Sequence, residues 1–248
     1  MLTFFIAFFT AGFFIGSTVS VEVDNKSTGQ VANDTKDMVY MLFTDRVHQQ
    51  NFTGTGFAIK IANHKYLVTA AHICSSEVKA IAYNSKLDKT ENIVTRDRFK
   101  LYRDHDLCVV SELDTELSAF EMASSVSDVE NYYAVGHPNH YPLVATKGNL
   151  LGLVSLTLEA TYLSIDNCLS SRHSITTKRI NNEQQFVCVF SGPIYATSIP
   201  VTYGSSGSPI INKNYEVVGV VSIVDGSSPG NWAGMVPLKD LELFLNSL

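Results

Sequence analysis

Short runs of β-branched and aromatic residues, separated by turn-forming residues, recur along most of this 248-residue chain. Residues 54–61, 65–69 and 217–224 are three of these runs, and each has the length of an ordinary strand. Many such runs with few helical stretches predict an all-β fold, either a sandwich or a barrel. Hydrophobic residues make up 45% of the chain, which is enough for a substantial core in one large or two small units.

The last segment of the chain departs from the strand pattern. Apolar residues recur there at intervals of three and four positions, at Leu238, Leu241, Phe244, Leu245 and Leu248. This spacing predicts a short C-terminal helix with one apolar face.

Charge and composition exclude several classes of function. The net charge is −6, and lysine and arginine are scattered along the chain, so we expect no nucleic-acid partner. No group of His, Cys and Asp has the spacing of metal ligands, and no phosphate-binding loop is found in the sequence. We therefore expect neither a metal nor a cofactor.

A turn of small residues at 204–209, with the sequence GSSGSP, is the most informative motif in the chain. It lies between two apolar, β-rich runs, where it can hold one serine hydroxyl in the open beside backbone N–H groups. Upstream, one apolar run leads into His72, and the sequence DHD at 104–106 precedes another. A histidine, an aspartate and a glycine-flanked serine, in that order, are the components of an acyl-transfer site.

Three motifs together resemble those of the chymotrypsin-like serine peptidases. The sequence TAAH at 69–72 resembles the family's histidine motif, Asp106 with Leu107 resembles its aspartate motif, and residues 204–209 resemble its serine motif. The resemblance covers residues 38–245 and is strongest to the simple bacterial and viral members. It implies an all-β fold of two six-stranded antiparallel β-barrels, with the active site in the cleft between them and a short C-terminal helix.

The same resemblance divides the chain into segments. It implies a first β-barrel at 38–111, a connector at 112–128, and a second β-barrel with the C-terminal helix at 129–248. His72 and Asp106 then come from the first barrel and Ser206 from the second, so the site is complete only when both barrels dock.

Each matching residue has an expected role in the family's reaction. Ser206 is the expected nucleophile, and the N–H groups of Gly204 and Ser206 form the expected oxyanion hole. His72 is the expected general base, and Asp106 fixes its tautomer and stabilises its charged form. Asp104 is the alternative to Asp106, which we prefer because an apolar strand follows it directly. Each assignment has a competing interpretation. Ser206 would instead lie in a loop of serine and glycine that only links two strands, His72 would be a core or capping histidine, and Asp106 would be a solvated loop carboxylate.

One position departs from the digestive enzymes of the family. Ser205 stands where those enzymes have an aspartate, which pairs with a newly cut N-terminus in the members that are activated from zymogens. A serine carries no charge for this pairing. We therefore expect activity without that activation mechanism.

The resemblance also identifies the residues expected to bind substrate. It maps Pro200 to the floor of the substrate pocket and Val221, Ile223 and Val224 to its walls, while the backbone from Ser222 onwards holds substrate as an added strand. A floor without an acidic group argues against cleavage after Lys or Arg. The bulky walls predict a shallow apolar pocket for a small or medium P1 side chain, although a shift of one residue in register would exchange the side chains that face it.

The beginning of the chain indicates export. Residues 2–19 are almost wholly apolar, and the first charged side chain is that of Glu22. Residues 1–20 therefore predict a cleaved signal peptide, and we expect a secreted, extracellular protein. The alternative is an uncleaved membrane anchor, because no Lys or Arg precedes the apolar run.

The polar residues 21–37 contain few apolar anchors and predict a flexible N-terminal arm. Glycosylation sequons occur at Asn25, Asn33 and Asn51. In a eukaryotic host the export signal would make a glycoprotein of this chain, and the competing interpretation is that the triplets occur by chance.

Four cysteines in an exported chain predict two disulfides. Cys168 and Cys188 bracket a polar loop, which favours a bridge between them. Cys74 and Cys108 each lie two residues beyond a proposed catalytic residue, so contact between those two residues would bring the two sulfurs together. Two buried free thiols are the alternative for this second pair.

The function expected from these observations is that of a secreted serine endopeptidase acting on a protein or peptide substrate. The first alternative is a catalytically inactive homologue that binds a partner through the same cleft. The second is a secreted esterase with the same three catalytic groups, which the order of the motifs and the β-rich sequence disfavour.

Overall fold

The fold is mostly β-sheet, with a short C-terminal helix, as the sequence predicts. A computed structural model describes residues 26–46, 49–74, 80–84, 89–92, 100–102, 105–113, 118–162, 173–180, 183–224 and 233–248. The predicted signal peptide or anchor at 1–20 lies outside these residues, as do Asn25, Asp104 and Cys168.

The strands of the N-terminal half form one antiparallel sheet. In chain order they are β1 (Val39–Arg46), β2 (Gln49–Ile61), β3 (His64–Ala70), β4 (Ala80–Asn84), β5 (Lys89–Asn92), β6 (Lys100–Tyr102) and β7 (Leu107–Glu112). Their order across the sheet is β5-β4-β1-β2-β3-β7-β6. Ala70 at the end of β3 pairs with Leu107 at the start of β7. This register brings the residues just after β3 next to those just before β7.

The strands of the C-terminal half form a second sheet. They are β8 (Tyr132–Gly136), β9 (Val144–Gly148), β10 (Leu150–Tyr162), β11 (His173–Ile180), β12 (Glu183–Thr197), β13 (Pro209–Ile211), β14 (Val217–Val224) and β15 (Ala233–Pro237). Their order is β10-β12-β15-β14-β13-β8-β9, and β11 pairs with β12 outside this path. The turn at 204–208 leads directly into β13, an interior strand that lies between β14 and β8.

The expected detail of two six-stranded barrels is not confirmed. The described residues form a seven-stranded and an eight-stranded sheet, and no pairing found among them joins the two ends of either sheet. β11 is the strand of the second sheet that lies outside the main path. It pairs with β12 from His173, opposite Phe190, to Ile180, opposite Glu183. β12 can accept this neighbour because β15 pairs with it at Tyr195, Ala196 and Thr197 only.

One hydrophobic core joins the two sheets. Phe57 and Val68 of the first sheet pack in the same buried cluster as Tyr133 and Val220 of the second. Phe120, which precedes the second sheet, is 1% exposed, and its ring meets that of Phe57 edge-on with 6.1 Å between ring centroids. Burial of these large side chains from both halves holds the sheets against each other.

A helix precedes the first sheet where we expected a flexible arm. α1 (Thr28–Thr35) begins at Ser27, whose side-chain oxygen accepts a hydrogen bond from the N–H of Gln30. Val31 on this helix is fully buried and packs in the core shared by the two sheets. Val31, supported by the N-cap, therefore docks this segment on the core. The polar composition of residues 21–37 did not predict this docking. The sequon residue Asn33 is exposed on the same helix.

The C-terminal helix forms where the leucine spacing predicts it. α2 (Leu238–Leu245) buries Leu241, Phe244 and Leu245, while Leu248 lies beyond the end of the helix and is partly exposed. The helix packs against β14 and β15. It therefore covers the strand that carries Ser222.

A disulfide joins Cys74 to Cys108, which is the second of the two expected bridges. The expected bridge between Cys168 and Cys188 cannot be described, because Cys168 lies outside the described residues. Among the helices that are described, none has the length and apolar character needed to cross a membrane.

Candidate active site

His72 and Asp106 form a hydrogen-bonded pair where β3 ends and β7 begins. Nδ1 of His72 lies 2.9 Å from Oδ2 and 3.1 Å from Oδ1 of Asp106. The backbone N–H of His72 also donates to Oδ1, at 2.9 Å. An ionised carboxylate can only accept, so Nδ1 carries the proton and Nε2 of the neutral ring remains an acceptor.

Asp106 is fixed by groups from both sheets. Its backbone has φ of 53°, a left-handed conformation that aspartate adopts more readily than most residues, and its carbonyl accepts from the N–H of Ala71 at 2.9 Å. The hydroxyl of Ser222 on β14 donates to Oδ2 at 2.5 Å. The preceding residue, His105, pairs with Asp240 of α2 at 2.7 Å. The position of the carboxylate thus depends on the docking of the second sheet and of α2.

The two partners shift each other's pKa values in opposite directions. Burial lowers the pKa of His72, but the charge of Asp106 and the hydrogen bond to it outweigh burial, so the pKa is raised above its ordinary value. Burial raises the pKa of Asp106, but the charge of His72 and the hydrogen bonds from His72 and Ser222 lower it by more than burial raises it. The pKa of Asp106 therefore lies below its ordinary value. The pair therefore favours an ionised carboxylate next to a ring that accepts a proton readily.

Two glycines shape the turn that carries Ser206. Gly204 has φ of 90° and Gly207 has φ of 83°, values that residues with a side chain rarely adopt. A Cβ on Gly207 would lie 2.1 Å from both the carbonyl oxygen of Thr55 and Oγ1 of Thr69. No side chain fits there. The turn is consequently pressed against β2 and β3 of the first sheet.

Hydrogen bonds fix most of the polar backbone groups of residues 204–207. The carbonyls of Gly204 and Ser206 both accept from Thr55, the first from its hydroxyl at 2.8 Å and the second from its backbone N–H at 2.9 Å. The other bonds run from Ser205 N to Thr202 O, from Ser208 N to Ser205 O and from Gly207 N to Val221 O. Among the described residues, no acceptor is found for the N–H groups of Gly204 and Ser206. These two donors are therefore left to an external acceptor.

Ser206 lies beside the turn that carries His72. An ideal Cβ on Gly54 would meet the carbonyl oxygen of Ser206 at 2.9 Å and the side chain of Ile73 at 2.8 Å. An ideal Cβ on Gly207 would lie 3.0 Å from the backbone nitrogen of Ala70. The serine turn thus lies close to Ala70 and shares the neighbourhood of Gly54 with Ile73, and Ser206 itself is partly exposed.

The residues expected to bind substrate lie in different surroundings. Pro200 lines a cavity of about 280 Å³. Thr202 and Ser205 from the same segment line it too, as do residues of β8 and β9 such as Val144. Val221 is fully buried in the core of the second sheet, and its backbone N–H and carbonyl are bonded to Ser208 and Gly207. The structure therefore places Val221 in the core rather than on an open wall.

The neighbouring positions on β14 complete this description. The pairing of β14 with β15 is irregular between Val221 and Ile223, at Ser222, and the hydroxyl of Ser222 reaches Asp106. Ile223 and Val224 belong to the same strand, but their side chains lie outside the described part of the structure.

Sequence reasoning missed two residues of this site. Thr55 is fully buried and bonds to the serine turn through its hydroxyl and its backbone N–H, yet it stands in an ordinary β-type run. His137 is also buried, and burial lowers its pKa to about 4, so the ring is neutral at physiological pH. Its backbone N–H donates to Oγ1 of Thr55 at 3.0 Å. No local pattern marks either residue, because their partners are distant in sequence.

Residues that could hold a metal are not found together in the part of the chain that the structure describes. No group of three or more His, Cys, Asp or Glu side chains has a suitable arrangement there. The chemistry available to His72, Asp106 and Ser206 is that of a histidine base, its carboxylate partner and a serine hydroxyl.

The sequence matches the family model of the trypsin-like peptidase domain over residues 54–220. This match covers more than half of the chain, and the chain therefore belongs to the trypsin-like peptidase family. No curated protein sequence gives a significant match to it.

Solved structures of serine proteases share this fold. The Rv3671c protease from M. tuberculosis in its active form is 16% identical, with a TM-score of 0.64 over 87% of this chain and 82% of that one. The HtrA-type protease AlgW with a tripeptide is 15% identical, with a TM-score of 0.61 over 90% of this chain and 63% of that one. A serine endoprotease from Yersinia pestis is 15% identical, with a TM-score of 0.58 over 90% and 66%. Similarity at this identity shows a common fold.

The raised pKa of His72 can be measured directly. Titration of the ¹⁵N-labelled ring by NMR is expected to give a pKa for His72 above the ordinary histidine value of about 6.5. Asp106→Asn removes the carboxylate charge while burial persists, so the pKa should fall below the wild-type value. Asp104→Asn serves as the matched control and should leave the pKa unchanged. An equal fall in both variants would contradict the pairing of His72 with Asp106.

Proposed function

We propose that this protein is a serine endopeptidase that hydrolyses peptide bonds through an acyl-enzyme, with Ser206 as nucleophile, His72 as general base and Asp106 as its partner. The observation that carries the proposal is the Asp106 carboxylate, which is bonded to His72 of the first sheet at 2.9 Å and to Ser222 of the second at 2.5 Å. This arrangement fixes the ring of His72 with Nδ1 toward Asp106, so Nε2 is the nitrogen left for Ser206 in the proposed reaction. Membership of the trypsin-like peptidase family supports the same reaction class.

His72 would transfer the proton in both halves of the reaction. Its Nδ1–H is held by Asp106, so Nε2 is the nitrogen that takes the proton from the Ser206 hydroxyl as the oxygen attacks the substrate carbonyl. The imidazolium formed is stabilised by the adjacent carboxylate, in agreement with the raised pKa of His72. The same proton then passes to the leaving amine, which leaves the acyl group on Ser206. Water reverses these steps in the second half.

The developing negative charge on the substrate carbonyl would be met by the N–H groups of Gly204 and Ser206. Neither donor has an acceptor among the described residues, while the surrounding carbonyls are all turned toward other partners. Donors fixed before the reaction stabilise the tetrahedral intermediate without reorganisation. Loss of one such donor lowers kcat by about 10²–10³-fold in related reactions.

No cleavage step of the zymogen type is required by this site. Ser205 is 5% exposed, and its hydroxyl accepts a hydrogen bond from the N–H of Thr202 at 3.3 Å. The neutral side chain at this position is thus satisfied within its own turn. We infer that the enzyme is active without insertion of a new N-terminus.

The central test uses a fluorophosphonate probe and casein with the full chain. Wild-type protein should be labelled and should hydrolyse casein, whereas Ser206→Ala should lose labelling and at least about 10⁴-fold of the activity, because the variant lacks the attacking hydroxyl. Ser205→Ala is the matched control in the same turn and should still be labelled. Absence of labelling in the wild type would favour an inactive homologue that acts as a binding module.

We also propose that cleavage follows a small or medium apolar P1 residue rather than Lys or Arg. Support comes from Pro200, which supplies no acidic group beneath the serine turn, and from the apolar residues Ile223 and Val224 on β14. Cleavage of a randomised peptide library by the wild-type protein measures this preference. A dominant cut after Arg, Lys or Glu would contradict the proposed pocket.

Finally, we propose that the protein is exported, with residues 1–20 as a cleaved signal. The disulfide between Cys74 and Cys108 supports this, because disulfides persist in oxidising compartments outside the cytosol. N-terminal sequencing of the protein recovered from the medium should find a start close to Val21. A mature protein that still begins at Met1 would contradict cleavage and favour the anchor.

A further inference from the structure

Thr55 on β2 occupies an unusual place between the two sheets. It is fully buried, and its hydroxyl lies between the serine turn and the loop after β8. Oγ1 donates to the carbonyl of Gly204 at 2.8 Å and accepts from the backbone N–H of His137 at 3.0 Å. The Gly204 carbonyl can only accept a hydrogen bond and the His137 N–H can only donate one, so the direction of both bonds is fixed.

The backbone of Thr55 holds the same turn two residues further on. Its N–H donates to the carbonyl of Ser206 at 2.9 Å. Its carbonyl accepts from Oγ1 of Thr69 at 2.6 Å, which fixes Thr55 within the first sheet. Thr55 therefore anchors two alternate carbonyls of the serine turn to a rigid strand.

These two carbonyls alternate with the two unbonded donors. Along the turn, the N–H of Gly204 precedes the carbonyl of Gly204, and the N–H of Ser206 precedes the carbonyl of Ser206. A carbonyl that turned toward these N–H groups would place a protein acceptor beside them, in competition with an external one. Gly204, at φ of 90°, has no side chain that resists such a rotation.

We propose that the Thr55 hydroxyl is a positioning group that keeps the oxyanion hole open, by holding the Gly204 carbonyl away from the cleft. This inference rests on the proposed peptidase function and adds to it a residue from the opposite sheet. The proposed action of the Thr55 side chain is indirect, through the peptide that joins Gly204 to Ser205.

The variant that separates the hydroxyl from the shape of the side chain is Thr55→Val. It should lower kcat for a fluorogenic peptide by about 10- to 100-fold, less than the complete loss of both donors, with KM almost unchanged. Thr55→Ser keeps the hydroxyl and should restore kcat to within about threefold of wild type. Such a split between kcat and KM, with rescue by serine, is not expected of a residue that only fills space.

A matched control removes an equally buried threonine hydroxyl elsewhere. Thr35 on α1 is fully buried and donates to the carbonyl of Val31 at 2.8 Å. Thr35→Val should leave kcat and KM at wild-type values. If Thr55→Val does not fold, Thr55→Ala takes its place, since the smaller side chain fits the same site without its hydroxyl.

A second measurement does not depend on activity. The ¹³C resonance of the Gly204 carbonyl should move upfield in Thr55→Val, where the hydrogen bond is lost, and stay in place in Thr55→Ser and Thr35→Val. An unchanged resonance in Thr55→Val, a wild-type kcat in that variant, or equal loss in Thr55→Ser would overturn the proposal. If the wild type is neither labelled by the fluorophosphonate nor active on casein, the peptidase function fails, and the carbonyl resonance alone then decides whether Thr55 orients this peptide.

Discussion

The structure depends on the contact between the serine turn and the first sheet. Gly207 approaches Thr55 and Thr69 so closely that no Cβ could be accommodated, and the carbonyl of Ser206 is bonded to the N–H of Thr55. This contact fixes the distance between the sheets beside Ser206. Because the turn leads directly into β13, an interior strand of the second sheet, its position is set by a paired strand rather than by a loose loop.

The Asp106 carboxylate makes a second junction of a different kind. Its donors come from the His72 turn in the first sheet and from Ser222 in the second, so separation of the sheets would leave a carboxylate without part of its hydrogen bonds. An ionised group that loses such partners in a partly buried site is costly. Docking and ionisation of the pair are therefore linked, and the basicity of His72 depends on the integrity of the whole molecule rather than on a local sequence.

The sequence predicted those features that are marked by local patterns or by recognisable motifs. The β-rich architecture follows from the spacing of apolar residues, the helix α2 from leucines three and four positions apart, and the Cys74–Cys108 bridge from the equal offsets of two cysteines from His72 and Asp106. The pairing of His72 with Asp106 follows from motifs that sit at the ends of adjacent strands.

Features that depend on distant residues could not be predicted in this way. Thr55 meets Gly204 across 149 positions, and Ser222 meets Asp106 across 116, so neither contact leaves a local pattern. The burial of Val221 depends on the register of β14, which alternation alone does not determine. α1 docks through one valine in a polar segment, too weak a signal for any periodicity.

The bridge between Cys74 and Cys108 has a consequence for how the chain withstands proteolysis. It closes a loop of the chain whose ends lie 34 positions apart, just beyond His72 at one end and Asp106 at the other. A single cut by a protease anywhere inside that loop breaks the main chain but leaves the two cysteines covalently joined. His72 and Asp106 thus remain tethered to each other even in a nicked molecule.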